Sequence, residues 1–187
     1  MPTRTYQVVV IKGDGIGPEL VDAAMRVLVA VQEARGGFRL EVDYREGGAG
    51  LYRRTGENLA ASTLEAIKRA HAAMKGPVGL PEVRLPDGTE AGTPGGVLRT
   101  GLDTYANVRP VRLLPGVEAP MRAKPGGIDY VIERENTEGL YLSRGKGVGT
   151  DQAMADTLLV TRKGTERVAR HAFELARRRS GAPQDGV

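Results

Sequence analysis

Three arginines that lie outside any solvent-facing helical stripe have the clearest chemical potential in this chain. Arg99, Arg109 and Arg134 each lie beside a segment with the pattern of a strand or a loop. A guanidinium binds a carboxylate through two parallel hydrogen bonds, so three of them at one point would bind a di- or tricarboxylate. A surface salt bridge is the favoured explanation for each arginine when it is taken alone, and spacing does not show that the three converge.

A second candidate is the polar segment RENTEGLY, which runs from Arg134 to Tyr141 directly after a predicted strand. A phenol beside a cation can act as a general acid, so Tyr141 is a candidate proton donor. The alternative is an aromatic side chain on an edge strand. His71 and His171, both predicted on helices, are explained more simply as surface or hydrogen-bonded residues. No His, Asp and Glu cluster has convincing metal-ligand spacing.

The third candidate is the glycine-rich turn GDGIG, from Gly13 to Gly17, between a predicted strand and a predicted helix. Backbone N–H groups at such a turn can bind phosphate. The spacing is neither that of the dinucleotide fingerprint nor that of a P-loop, so an ordinary Rossmann site is disfavoured. A structural tight turn and a ligand contact both remain open.

The elements that must position these residues begin with a β-α-β unit, which favours a parallel sheet. The pattern predicts a strand over Tyr6–Ile11, a helix over Pro18–Ala34 and a strand around Leu40–Tyr44. The helix should bury the apolar stripe formed by Leu20, Ala24, Val27 and Val31. Gly47–Gly50 should be a flexible joint.

Further along, Ser62 and Glu65 form a predicted capping box for a helix that ends near Met74. A buried strand is predicted over Ile128–Ile132, with Arg134 just beyond it. Another strand is predicted over Thr157–Thr161. A last helix, Thr165–Arg179, should bury Phe173 among other apolar residues. The predicted class is α/β.

Composition excludes several kinds of protein. The 187 residues carry a formal net charge of +4 and contain no cysteine, so disulfide frameworks and thiolate zinc sites are excluded. Six Tyr, two Phe and no Trp are few for stacking on single-stranded nucleic acid. No apolar run is long enough for a membrane helix, and no signal peptide precedes the first strand. We therefore expect a cytoplasmic protein with neither nucleic acid nor membrane as a partner.

Three segments in order resemble the metal-dependent β-decarboxylating dehydrogenases, the family of isocitrate, 3-isopropylmalate and tartrate/D-malate dehydrogenases. They are VVVIKGDGIGPELVDAA, LDTYANVRPVRLLPGV and IDYVIERENTEGLY, and the resemblance runs from about Val8 to Arg179. The stretches RPVRLLPGV, KPGGIDYVI and RENTEG look most like the tartrate/D-malate branch. The resemblance implies an isopropylmalate dehydrogenase-like fold, incomplete here, with a mixed, largely parallel sheet and helices on both faces.

The resemblance also implies a layout and an activity. Residues 1–100 would be an incomplete cofactor-side domain. Residues 101–187 would start a second domain, with an arm at about 142–161 that forms a homodimer. The enzyme would oxidise a (2R)-hydroxy di- or tricarboxylate with NAD, or with NADP, and then decarboxylate it. A Mg²⁺ or Mn²⁺ ion would act as the Lewis acid.

Family roles carry over by position. Arg99, Arg109 and Arg134 would bind the substrate carboxylates, and Tyr141 would protonate the enolate after CO₂ is lost. Thr93 begins the stretch that would contact the γ-group of the substrate and so determine substrate specificity. Cofactor contacts would come from two loops, whose residues are Gly15, Ile16, Gly76, Val78 and Gly79.

The resemblance leaves parts of the function open. Family members are nearly twice as long, and their catalytic lysine and metal-binding aspartates lie beyond the point that matches Val187. We therefore expect the isolated chain to lack metal ligands and turnover. The alternative is a non-catalytic carboxylate-binding or regulatory subunit of the same family. Nucleic-acid binding through the basic charge is disfavoured, since the arginines are spread out. The hydroxy acid, and the choice between NAD and NADP, stay open.

Overall fold

The computed structural model describes residues 3–86, 88–123, 127–143 and 146–179. The chain divides into two compact units, Met1–Leu102 and Asp103–Val187. The roles predicted for the two parts of the chain, a cofactor-side domain and a dimer-forming domain, remain predictions.

The first unit is built around a parallel sheet of three strands in the order β2-β1-β3. Its elements in chain order are β1 (Arg4–Ile11), α1 (Gly17–Arg35), β2 (Phe38–Arg45), α2 (Ala49–Thr55), α3 (Ala61–Arg69), β3 (Ala72–Lys75) and α4 (Gly95–Gly101). The β-branched run of β1 makes it the central strand. The predicted β-α-β unit is present, and its two strands pair in parallel.

Helices cover both faces of this sheet, as the fold prediction required. On one face Val10 packs against Val21 and Met25 of α1. On the other face Val9 and Ile11 pack with Ile67 of α3. Successive side chains of a strand point to opposite faces, so one apolar run on β1 supplies both layers of the core.

The predicted buried stripe of α1 is wrong. Leu20 is 50% exposed and Val27 is 63% exposed, whereas the buried residues of the helix are Gly17, Val21 and Met25. The line of side chains through Leu20 and the line through Val21 are both apolar. Periodicity alone therefore does not predict which of the two lines is buried. The side chain of Gln32 accepts a hydrogen bond from the Leu40 N–H (2.7 Å) in the observed orientation.

The segment between β2 and α4 differs most from the predictions. Gly47–Gly50 is not a flexible joint, because α2 begins at Ala49 and the glycines pack closely. The capping box is absent, since α3 begins at Ala61 with no side-chain cap and Glu65 instead pairs with Lys68 at 2.8 Å. The helix also ends well before Met74, and His71 lies outside it.

The reason for the early end of α3 is tertiary pairing. The residues AAMK at 72–75 have good helix propensity, but they form β3 and pair with Val8–Ile11. Pairing with a buried central strand outweighs a local preference that is worth only tenths of a kcal/mol per residue, about 0–0.7.

The second unit is a two-stranded antiparallel ribbon with one long helix packed on it. The ribbon consists of β4 (Ala106–Arg112) and β5 (Asp129–Glu135), and the helix is α5 (Arg162–Arg178). Two short strands, β6 (Val148–Gly149) and β7 (Met154–Ala155), pair with each other in the predicted arm. Arg144 and Gly145 of the arm lie outside the described residues.

Four predictions for this unit are wrong. Arg134 lies inside β5 rather than after it, and β5 is not a buried strand, because α5 covers only one face and leaves Ile132 exposed. Thr157–Thr161 forms no strand beyond a single bridge between Leu159 and Gly139. Phe173 is 75% exposed, although its spacing on α5 predicted burial. Within the described ranges, no helix is both long and apolar enough to cross a membrane.

Candidate active site

The β4–β5 ribbon places two of the three predicted arginines on one face. In its register Asn107 lies opposite Arg134 and Arg109 lies opposite Ile132. Opposite residues of the two strands share a face, and side chains alternate between the faces along each strand. Arg109 and Arg134 therefore share a face as diagonal neighbours, whose Cα atoms lie about 7–8 Å apart. Because both side chains start from the same face of the ribbon, the two guanidinium groups can bind the two carboxylates of a small diacid.

Arg134 and Tyr141 are in direct contact. The Arg134 Nη2 group donates a hydrogen bond to the phenolic oxygen of Tyr141, and the guanidinium carbon lies 5.0 Å from the ring centroid. The phenol thus has the cationic neighbour that a general acid of this kind requires.

Asn136 connects this face to the loop before β4, a role that the sequence analysis missed. It is buried, its N–H donates to the Tyr105 carbonyl at 2.9 Å, and its side-chain amide donates to the Thr104 carbonyl at 3.2 Å. Its Oδ1 accepts from Asn107 at 3.4 Å. A buried amide must be hydrogen-bonded, so the polar Asn in the middle of RENTEG was the available signal.

A cavity of about 760 Å³ borders Arg134 and Tyr141. Leu158, Leu159 and Val160 form much of its wall. Its acidic residues are already engaged: the Glu138 carboxylate accepts hydrogen bonds from the N–H (2.9 Å) and hydroxyl of Thr161. Arg134 and Tyr141 supply a cationic group and a phenol to the wall of the cavity.

The carboxylate of Glu135, at the same cavity, accepts hydrogen bonds from the turn that follows β5. Burial opposes its ionisation, but the Thr137 hydroxyl and the N–H groups of Glu138, Thr137 and Asn136 together lower the pKa of Glu135. The donor distances are 2.6 Å from the Thr137 hydroxyl and 2.7 Å from the Glu138 N–H. Glu135 is thus an ionised structural group of the site.

This shift predicts an acid-sensitive second unit. A carboxyl with a folded pKa below its ordinary value of 4.5 stabilises the fold at higher pH, and this contribution is lost as pH falls through 4.5 towards the folded pKa. We expect Glu135→Gln to flatten the pH dependence of the unfolding free energy between about pH 5 and 3. Urea unfolding at several pH values measures it, and an unchanged slope would contradict the assignment.

Thr93 and Arg99 belong to the first unit. Thr93 precedes α4, and its carbonyl accepts a hydrogen bond from Asn58 at 3.5 Å. Arg99 lies in the last turn of α4, and one of its η nitrogens would lie 3.4 Å from a Cβ placed on Gly95. The convergence of Arg99 with the two arginines of the second unit stays a prediction.

The predicted cofactor residues lie on two loops that leave the carboxyl ends of β1 and β3. The strand order reverses at β1, since β2 lies on one side of it and β3 on the other. In open parallel sheets, ligands bind beyond the carboxyl ends of the strands at such a reversal. The loops contact each other, because the Asp14 N–H donates to the Pro77 carbonyl at 2.9 Å.

The glycines of GDGIG have two different roles. A Cβ on Gly13 would overlap the Pro77 carbonyl, and one on Gly17 would overlap the Lys12 carbonyl, so these two are structural. Gly15 has nothing closer than 3.9 Å to such a Cβ, and Ile16 is 64% exposed. A ligand can therefore reach Gly15 and Ile16, and their assignment to a cofactor site stays a prediction.

Asp14 holds these loops together, which the sequence analysis did not predict. Its carboxylate accepts hydrogen bonds from the N–H groups of Ala49 (2.6 Å), Gly50 (2.8 Å) and Gly79 (3.1 Å). Gly48 has φ of +122°, and a Cβ there would overlap the carboxylate. Asp14 lies between Gly13 and Gly15, and its donors at Ala49 and Gly50 are too far along the chain for a local sequence pattern to identify them.

Comparison with known proteins identifies the family. The family model described as isocitrate/isopropylmalate dehydrogenase matches residues 7–184. The chain belongs to the isocitrate/isopropylmalate dehydrogenase family. This confirms the resemblance that the three sequence segments indicated.

Relatives from several branches match this family member. It is 37% identical over 181 residues to a probable tartrate dehydrogenase/decarboxylase of Agrobacterium vitis, covering 94% of this chain and 50% of that protein. It is 42% identical over 185 residues to a 3-isopropylmalate dehydrogenase of Leifsonia xyli subsp. xyli, covering 95% and 50%. The chain thus spans about half the length of these relatives, and identity does not select one branch.

Solved structures of the family give the same result for the fold. An isocitrate dehydrogenase from Methylococcus capsulatus matches with a TM-score of 0.74 at 34% identity, covering 92% of this chain and 48% of that one. A β-decarboxylating dehydrogenase from Thermococcus kodakarensis (apo form) matches with a TM-score of 0.67 at 36% identity, covering 92% and 46%. The α/β fold of this family is therefore confirmed.

The divalent metal named for this family does not fit the part of the chain that the structure describes. No group of three or more His, Cys, Asp and Glu side chains in that part could hold a metal ion. We therefore assign no metal ligand to these residues.

Proposed function

We propose that this chain supplies the substrate-carboxylate side of an NAD(P)-dependent dehydrogenase that oxidises and decarboxylates a (2R)-hydroxy di- or tricarboxylate. The observation that carries the proposal is the contact between Arg134 and Tyr141 on a ribbon that also carries Arg109. Membership of the isocitrate/isopropylmalate dehydrogenase family supports the same reaction class.

The roles of the side chains follow from their chemistry. Arg109 and Arg134 bind the carboxylates and hold the substrate in one orientation, which lowers the entropic cost of reaction. Oxidation of the hydroxyl to a ketone would transfer a hydride to NAD(P) and a proton to water, and the β-keto acid would then lose CO₂ to leave an enolate. Tyr141 donates its phenolic proton to the enolate carbon, with Arg134 stabilising the phenolate that forms.

The two loops at the carboxyl ends of β1 and β3 supply the proposed cofactor contacts. NAD(P), when bound, accepts the hydride. Gly15 and Ile16 would contact it from the first loop, and Gly76, Val78 and Gly79 from the second. Burial lowers the pKa of Lys75 beside the second loop, although the charge of Asp14 partly offsets this effect.

A homodimer formed through the arm at about 142–161 completes the proposal. Val148 and Met154, which belong to the short β6–β7 pair, are both strongly exposed. Contact with a second copy would bury them.

Calorimetry on the purified chain tests the carboxylate site. We expect D-malate, isopropylmalate and isocitrate to bind with dissociation constants of about 1 mM or tighter. D-lactate, which has one carboxylate, is the control and should bind far more weakly. Equal binding of D-lactate and D-malate, or no binding of any diacid, would overturn the proposal. Turnover of the purified chain with NAD and Mn²⁺ well above background would contradict the expectation that the isolated chain is inactive.

A further inference from the structure

Arg167 of α5 makes an unusual set of contacts inside the second unit. Its side chain is 22% exposed, and Nη1 donates to both carboxylate oxygens of Asp103 at 2.8 and 2.9 Å. Nη2 donates to the Thr137 hydroxyl at 2.6 Å. The guanidinium carbon lies 4.6 Å from the ring centroid of Tyr105.

Among the described residues, these contacts leave one donor of the Arg167 side chain without a partner. The Nε of Arg167 is buried and has no hydrogen-bond partner within the described part of the chain. Burying a guanidinium has a desolvation cost that its ion pair offsets only in part, and apolar side chains often serve stability as well. A planar group with several fixed donors is, however, well suited to hold separate segments in one geometry.

The segment that Arg167 holds is the turn between the two candidate site residues. Thr137 lies between Arg134 and Tyr141 in the chain, and its hydroxyl also contacts the Glu135 carboxylate. A second attachment follows at Glu138, which is bound to Thr161 just before α5 begins. The turn is therefore fixed to α5 at two neighbouring points.

We propose that Arg167 is a positioning residue of the candidate carboxylate site. It fixes the turn at Thr137 so that Arg134 and Tyr141 keep their mutual hydrogen bond and their orientation towards the substrate. This inference rests on the proposed function, because the site it positions is the one assigned there.

The test compares Arg167→Met with a matched control, Arg179→Met. Arg179 pairs with Asp129 at the opposite end of β5, so its loss removes an arginine–aspartate pair without touching the turn. The first readout is the NMR resonance of the Tyr141 Cζ, assigned with Tyr141→Phe. The second is the calorimetric affinity for D-malate, and thermal unfolding reports stability for both variants.

We expect Arg167→Met to move the Tyr141 resonance and to weaken D-malate binding about 10-fold, since displacement of a bound group by a distant mutation has effects of this size or larger. Arg167→Lys should move both readouts less. Arg179→Met should change only the unfolding temperature. An unmoved Tyr141 resonance in folded Arg167→Met, or the same shift in Arg179→Met, would overturn the proposal.

A third variant covers the case in which Arg167→Met does not fold. Thr137→Val removes the hydroxyl that Arg167 binds and keeps the side-chain shape, and it should also move the Tyr141 resonance; no movement would overturn the proposal. If the unmodified chain binds no diacid, the proposed function fails, and the Tyr141 resonance alone still decides whether Arg167 positions the turn.

Discussion

Replacing Arg134 by methionine is expected to weaken diacid binding by about 30- to 150-fold, which corresponds to about 2–3 kcal/mol of binding free energy. Hydrogen bonds to charged groups carry energies of this size, and methionine keeps the length of the side chain but none of its donors. The same change also removes the cation beside Tyr141. Calorimetry with D-malate measures the loss.

The control for this variant is Arg170→Met, which removes an exposed arginine of α5 and should leave the affinity unchanged. Arg109→Met should act in the same direction as Arg134→Met, because both arginines lie on one face of the ribbon. If Arg134→Met binds D-malate as tightly as the unmodified chain, while Arg170→Met does too, the ribbon face does not bind the substrate.

Asp14→Asn is expected to reduce the free energy of unfolding by about 2–4 kcal/mol, since charge-assisted hydrogen bonds are lost and an amide N–H₂ then faces a backbone N–H. Both carboxylate oxygens are in use, one for Gly50 and the other for Ala49 and Gly79. Asparagine has one acceptor oxygen, so at least one of these donors loses its partner. Urea unfolding followed by circular dichroism measures the change.

Asp22→Asn is the matched control for this prediction. Asp22 pairs with Lys12 at 2.7 Å on an exposed surface, where an ion pair adds little stability. Its loss should therefore be much smaller than that of Asp14. Equal effects of the two substitutions would show that the Asp14 carboxylate does not hold the three segments together.

The parts of the fold that depend on local patterns were predictable from the sequence. The strand over Tyr6–Ile11 and the helix that follows it stand within a few residues of their observed bounds, because their apolar patterns are long and strong. β3 was missed since AAMK has no strand pattern and forms a strand only through its pairing with β1. The burial predicted for Phe173 is wrong because spacing along a helix does not show how much of the helix surface the neighbouring elements cover.

In the candidate site, too, the chemically important residue types were predictable from the sequence, whereas their contact partners were not. Arginine and tyrosine could be named from their chemistry, and the ribbon register then placed Arg109 and Arg134 on one face. Asp14 and Asn136 act through backbone groups that are distant in sequence. Nothing in the sequence near Asp14 identifies the N–H groups of Ala49 and Gly50 as its donors, because that contact exists only after the sheet has formed.

Helix α1 has two apolar lines of side chains, and either line could in principle face the sheet. The two corresponding orientations of the helix about its own axis therefore compete. Turning the helix by about 100°, the angle between successive residues, would exchange the line at Val21 for the line at Leu20. The hydrogen bond from the Leu40 N–H to Gln32 and the ion pair between Lys12 and Asp22 match only the observed orientation. These modest polar contacts thus act chiefly by selecting one rotational orientation of α1. The second apolar line, which the other orientation would bury, remains exposed on the surface.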